Sequence, residues 1–179
     1  PGEEAQVDFG PVGKLCDPVS GRLRTAYAFV ATLSYSRHQY AELVFDQKVE
    51  TWLGCHRRAF EFFGGVPAKA IIDNPKCAIT RACFRDPVVQ RAYAEAAEGY
   101  GFLIAPCPPR DPKKKGRVES GVKYVKKSFV PLREFRSLAD GNRQLMQWVM
   151  ETAGNRTHGS LQEKPLTVFA AAEKALLQR

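Results

Sequence analysis

Three strand-like runs crowd the first 45 residues, joined by short links. Gln6-Val7-Asp8-Phe9 alternates polar and apolar and stops at Gly10-Pro11, which predicts a short strand with Asp8 on the face opposite Val7 and Phe9. Asp17-Pro18-Val19-Ser20-Gly21 reads as a turn. Leu23 to Leu33 is then an aromatic and β-branched run of the kind that fills an interior strand. After a break at Ser34-Tyr35-Ser36-Arg37, His38 to Phe45 supplies a third strand, so the series predicts an antiparallel meander.

The period then changes. Val49, Trp52, Leu53, His56, Phe60 and Phe63 recur every three or four residues, one face of a helix that Gly64-Gly65 stops. Ala68 to Ile72 is a short strand running into Asp73-Asn74-Pro75. Asp86-Pro87 predicts a helix start, with Val89, Ala92, Tyr93, Ala96 and Tyr100 as its buried stripe and Gly101 closing it. Phe102 to Ala105 is another strand, and the prolines from Pro106 to Pro112 argue against regular structure. A helix returns after Lys115-Gly116, with Val118, Val122, Val125 and Phe129 on one side and Glu119, Lys123 and Lys126 on a polar flank. Two further helical segments follow, around Leu138 to Thr152 and Thr167 to Leu177. The order β-β-β-α-β-α-β-α with appended helices predicts an α/β fold, a mixed sheet covered by helices.

Charge narrows the function. The 179 residues carry a net +8, yet nine basic and only two acidic residues lie between Arg110 and Arg133, leaving +1 for all the rest. Such a concentration suits a polyanion, although a solvated helix face has the same composition. Five cysteines without a CxxC pair, and three histidines, make a poor zinc or disulfide framework and predict reduced, packed thiols. No apolar run approaches the ~18 residues of a membrane span, and Pro1–Gly10 does not resemble a secretory signal, so a soluble intracellular protein is expected. His56, Trp52 and Trp148 fall on apolar helical faces and read as packing residues, while His158 lies in a polar loop. Neither GxGxxG nor a Walker A motif is present.

Three carboxylates remain. Asp8 and Asp73 sit at strand positions and Glu119 on the flank of the basic helix, an arrangement that a mixed sheet could bring together. Each has an ordinary reading: Asp8 beside a glycine turn, Asp73 in a turn of its own, Glu119 paired with Lys115 and Lys123. Jointly they form an oxygen-only set suited to hard divalent cations, and close carboxylates repel one another unless a cation lies between them. A two-ion site holds its metals about 3.5–4 Å apart, so one acid must bridge. Asp8 is the candidate bridge, with Asp73 completing one shell and Glu119 the other.

Gln6-Val7-Asp8-Phe9-Gly10, Ile71-Ile72-Asp73-Asn74-Pro75-Lys76 and Lys115-Gly116-Arg117-Val118-Glu119-Ser120 resemble the three signatures of the integrase-type DDE catalytic core, most closely that of IstA-type transposases of bacterial insertion sequences. The resemblance runs from about Glu4 to Phe129. Asp73 and Glu119 stand 46 positions apart, which exceeds the spacing of retroviral integrases and favours the insertion-sequence branch. It implies a ribonuclease H-like five-stranded mixed sheet over residues 4–133 and a C-terminal helical extension over 134–179, packed on or next to it. It also implies two Mg²⁺ ions, replaceable by Mn²⁺, held by Asp8, Asp73 and Glu119, which cut transposon ends and transfer the 3′-hydroxyl into target DNA.

Lys113, Lys114, Lys115, Arg117, Lys123, Lys126 and Lys127 would then hold phosphates of double-stranded DNA, with Arg37, Asn74 and Arg110 as further DNA candidates. The implied partners are a multimer of the chain itself and an IstB-type AAA+ ATPase, with no membrane, in a bacterial cytoplasm. A DNA-end recognition region is expected elsewhere in a longer protein. The rivals are a nuclease of the same fold that only hydrolyses and a noncatalytic DNA-binding or assembly domain.

Overall fold

The early strands pair as neighbours in sequence. β1 (Glu4–Cys16) and β2 (Leu23–Leu33) run antiparallel from Ala5 opposite Leu33 to Cys16 opposite Leu23, and β3 (Gln39–Val44) joins the far side of β2. The computed structural model describes residues 1–73, 75–81, 88–107 and 120–179. Beyond the meander, β4 (Lys69–Ile72) lies parallel to β1; β5 (Ile79–Arg81) and β6 (Val88–Val89) form a separate antiparallel ribbon; and β7 (Leu103–Pro106) lies parallel to β4. The main sheet is therefore mixed and five-stranded, in the order β3-β2-β1-β4-β7.

Helices cover both faces because β2 is apolar on both. Phe29, Ala31 and Leu33 turn to one side, where α1 (Val49–Phe63) and α2 (Arg91–Tyr100) bring Trp52, Phe63 and Tyr93. Ala26, Ala28 and Val30 turn to the other, against Val122, Val125 and Phe129 of α3 and Leu145, Trp148 and Val149 of α4. Here α3 is Gly121–Tyr124 continued by a π turn, Val125–Phe129, and α4 is Leu138–Trp148 continued by another, Val149–Ala153. The two-residue period of a strand thus divides the core into two layers. Gly64 ends α1 at φ 75°, a left-handed cap that glycine enters without strain, its amide donating to the Phe60 and Glu61 carbonyls.

The last helix, α5 (Pro165–Val168), continues through a π turn, Phe169–Glu173, and a 3₁₀ turn, Lys174–Leu176. It fastens to the end of the sheet where β1 begins. The buried Glu173 carboxylate accepts from the Gly2 and Ser36 amides, both at 3.0 Å, and Phe169 packs on His38 with ring centroids 4.7 Å apart. At the outer strand, Asn142 of α4 accepts from the Leu43 amide at 2.6 Å and donates to the Leu43 carbonyl at 2.9 Å, completing that residue's backbone pairing.

Several boundaries differ from the sequence reading. Gly10-Pro11 does not end β1; the strand continues to Cys16 through an irregularity between Pro11 and Gly13. Proline is tolerated there because β4 pairs only with Glu4 to Val7, leaving that side of β1 without a strand neighbour. Helix α2 begins at Arg91, not Asp86, with Gln90 accepting from the Tyr93 amide as its cap. Val89 belongs to the β5–β6 ribbon, which the sequence reading missed, and Asp86-Pro87 lies outside the described residues. The final helix starts two residues early, at Pro165, a proline in the first turn where its missing N–H costs nothing.

Candidate active site

The register between β1 and β4 sets the site. Val7 pairs with Ile72, the last pair in that parallel ladder, so Asp8 and Asp73 are the next residues along two neighbouring chains. Neighbouring strands run about 4.8 Å apart. Phe9 packs on Phe29 and Trp52 in the α1 layer, at ring-centroid distances of 6.0 and 5.7 Å, and strand alternation sends Asp8 to the opposite face. Asp73 is exposed, just beyond the point where the Cys107 amide donates to the Ile72 carbonyl at 2.8 Å.

On its face Asp8 meets the start of α3. Its Oδ2 accepts from the Val122 amide at 3.1 Å and from the Ser120 hydroxyl; its Oδ1 accepts from the Phe9 amide at 3.1 Å. Ser120 caps α3, its hydroxyl oxygen also accepting from the Lys123 amide at 3.4 Å. Gly121 lets the helix come this close, since a Cβ there would collide with Val30, the residue paired with Asp8 across β1 and β2. The roles of Ser120 and Gly121 were not read from the sequence. The usable signal was a serine immediately before a run with valines at helical spacing, an N-cap pattern.

The expected residues divide three ways. Asp8 and Asp73 are brought together, and Lys123, Lys126 and Lys127 stand exposed along α3, whose first turn holds Asp8. Two more cations border that helix: Arg156 lies over the Tyr124 ring at 4.0 Å and Arg133 over the Phe129 ring at 4.6 Å. Arg37 is placed apart, in the turn after β2 at the end where Ala5 pairs with Leu33, with a left-handed φ of 63°. Glu119, Asn74, Arg110, Lys113, Lys114, Lys115 and Arg117 lie outside the described residues.

Competing chemistries have little support among the described residues. Burial pushes the His56 imidazole down to about 4, and both its ring nitrogens are engaged, by the Trp52 carbonyl at 2.9 Å and the Tyr93 hydroxyl at 3.1 Å. Burial likewise raises the Cys55 thiol far above its usual range and the Cys77 thiol to about 11, which suppresses the thiolate a nucleophile needs. Cys16, Cys55, Cys77 and Cys107 are all free thiols. Asp8 and Asp73 fit a hard divalent cation, being adjacent, oxygen-only and bordered by basic groups. No helix among the described residues is long and apolar enough to cross a membrane.

The sheet is mixed, with one acid on its central strand β1 and another just past the end of the neighbouring parallel strand β4. The integrase core domain matches residues 1–112, and the chain belongs to that family. It is 40% identical over 177 residues to a protein of Mycobacterium tuberculosis named "Putative transposase", covering 98% of this chain and 43% of that protein. It is 32% identical over 177 residues to the transposase for insertion sequence element IS21 of Pseudomonas aeruginosa, covering 98% of this chain and 45% of the relative. The chain thus spans under half the length of these two relatives. Among solved structures, the catalytic core domain of BIV integrase superposes with a TM-score of 0.60 at 13% identity, covering 95% of each chain. That match establishes the ribonuclease H-like fold expected from the sequence.

Proposed function

We propose that this chain is the catalytic core of a DNA transposase of the insertion-sequence type, which cleaves strands at transposon ends and transfers the 3′-hydroxyl into target DNA. The observation that carries it is the pairing of Val7 with Ile72, which sets Asp8 and Asp73 side by side while Asp8 bonds to the residue that follows Glu119. Asp8, Asp73 and Glu119 are the residues that would hold two Mg²⁺ ions, or Mn²⁺ in their place. Such ions activate a water or sugar hydroxyl and stabilise charge on the departing oxygen. The chain's own part is to fix the carboxylates through β1, β4 and the first turn of α3, and to hold DNA phosphates with Lys123, Lys126 and Lys127. Lys113, Lys114, Lys115, Arg117, Arg110 and Asn74, outside the described residues, are the further DNA candidates offered by the sequence, and Arg37 would touch DNA only at a distance from the acids.

With this reading go a catalytic core over residues 4–133, a helical extension over 134–179, a multimer that processes two ends together, an IstB-type AAA+ ATPase partner and action in the bacterial cytoplasm. The test is a joining assay on the full-length protein, offering a labelled 3′-hydroxyl end, a target duplex and Mg²⁺. Joined product should form, and Asp8→Ala, Asp73→Ala and Glu119→Ala should each abolish it while leaving DNA binding largely intact. Cleavage without joining would favour a nuclease. Full activity in all three variants would remove the site.

A further inference from the structure

Among the described residues Asp8 is held from three directions, and one of the three donors is a side chain. The Phe9 amide donates to Oδ1, while the Val122 amide and the Ser120 hydroxyl both donate to Oδ2. An ionised carboxylate offers roughly four acceptor sites, so these donors restrict how the group can turn without exhausting its capacity. The two backbone donors come with the fold. The Ser120 hydroxyl does not, and it is the link that Gly121 makes possible by bringing α3 against Val30 in the row of Asp8.

We propose that Ser120 is a positioning residue for the Asp8 carboxylate, fixing the orientation in which Asp8 would meet a cation and tying it to the start of α3. The proposal rests on the metal-site reading above. Ser120 is placed to do two jobs with one oxygen, capping α3 through the Lys123 amide and donating its proton to Asp8. The two are separable: glycine is a tolerated N-cap that lacks the hydroxyl, whereas threonine keeps it. Partners that orient a metal-binding carboxylate typically contribute about 10–100-fold to metal affinity.

The experiment uses the full-length protein and reads Mn²⁺ affinity from the electron paramagnetic resonance signal of the free ion, alongside the Mg²⁺ concentration that half-saturates joining. Asp8→Asn defines the site under test. Ser120→Ala and Ser120→Gly should weaken Mn²⁺ binding about tenfold or more and raise the Mg²⁺ requirement, with DNA affinity unchanged. Ser120→Thr should restore both. If Ser120→Ala unfolds, Ser120→Gly carries the comparison, its capping cost being only a few tenths of a kcal/mol. Parent-like Mn²⁺ affinity in the alanine and glycine variants, with affinity lost in Asp8→Asn, would overturn the role of Ser120 and leave the metal site standing. Parent-like affinity in Asp8→Asn would overturn the metal-site reading, and the proposal with it.

Discussion

Gly121 stands directly against Val30: a Cβ at position 121 would lie 2.5 Å from Val30 Cγ1 and 2.9 Å from its Cβ. Both atoms belong to a β-branched side chain fixed in the middle of β2, so neither can swing aside cheaply. Gly121→Ala should therefore push α3 off the sheet, cost about 1–3 kcal/mol of stability and reduce strand joining. Adding Val30→Ala should recover part of both losses, a coupling that a urea-denaturation double-mutant cycle would read.

The three exposed lysines of α3 give a salt-dependence prediction. Each phosphate contact contributes about 0.9 to the slope of log affinity against log salt on duplex DNA. Lys123→Ala, Lys126→Ala and Lys127→Ala should each flatten that slope by about 0.9 if the residue holds a phosphate, equally on unrelated sequences. A filter-binding series from low to high salt measures it, and an unchanged slope removes that lysine from the interface.

Glu42, buried between β3 and α1, is held by Arg58 through Nε at 2.8 Å and Nη2 at 2.6 Å, and by the Tyr40 hydroxyl and the Cys55 thiol. Burial alone would raise its carboxyl, but hydrogen bonds from Arg58, Tyr40 and Cys55 outweigh it and keep the group below its usual range. Arg58→Ala would leave that charge poorly compensated. The Arg58 side chain is 41% exposed, so water replaces part of the loss, and about 2 kcal/mol is expected rather than the 3–5 typical of a fully buried pair. Arg58→Lys should recover only part of it, because an ammonium cannot reproduce the two-pronged contact. Thermal unfolding of both variants checks the order.

Two buried histidines set an acid limit. Burial pushes His38 and His56 each down to about 4, below the ordinary 6.5. Unfolding therefore takes up protons between those values: stability is fully present above pH 6.5 and falls as pH drops toward 4, by up to about 1.4 kcal/mol per pH unit for each histidine. Urea titrations at pH 7 and pH 5 should show this loss, and His56→Gln should show a smaller one. A pH-independent midpoint over that interval would contradict the burial of neutral imidazoles.

Much of the fold could be read in advance because periodicity carried it. Leu23–Leu33 and Val49–Phe63 coincide with β2 and α1, since an eleven-residue apolar run and a three-four stripe each admit one solution. What escaped depended on partners distant in sequence. The continuation of β1 past Pro11 follows from β4 being short, and the β5–β6 ribbon from Ile79 finding Val89. At the site, Asp8 and Asp73 were legible as acids at apolar strands, but the contact of Ser120 with Asp8 spans 112 positions of sequence. No local pattern encodes such a contact.

Asn142 does more than attach a helix to Leu43. By satisfying both backbone groups of that residue with one side-chain amide, it ends the outer border of the sheet at β3 as a missing sixth strand would have done. At Leu43, then, the β3 edge keeps neither amide nor carbonyl open to an incoming strand, which guards that point of the border against edge-to-edge pairing.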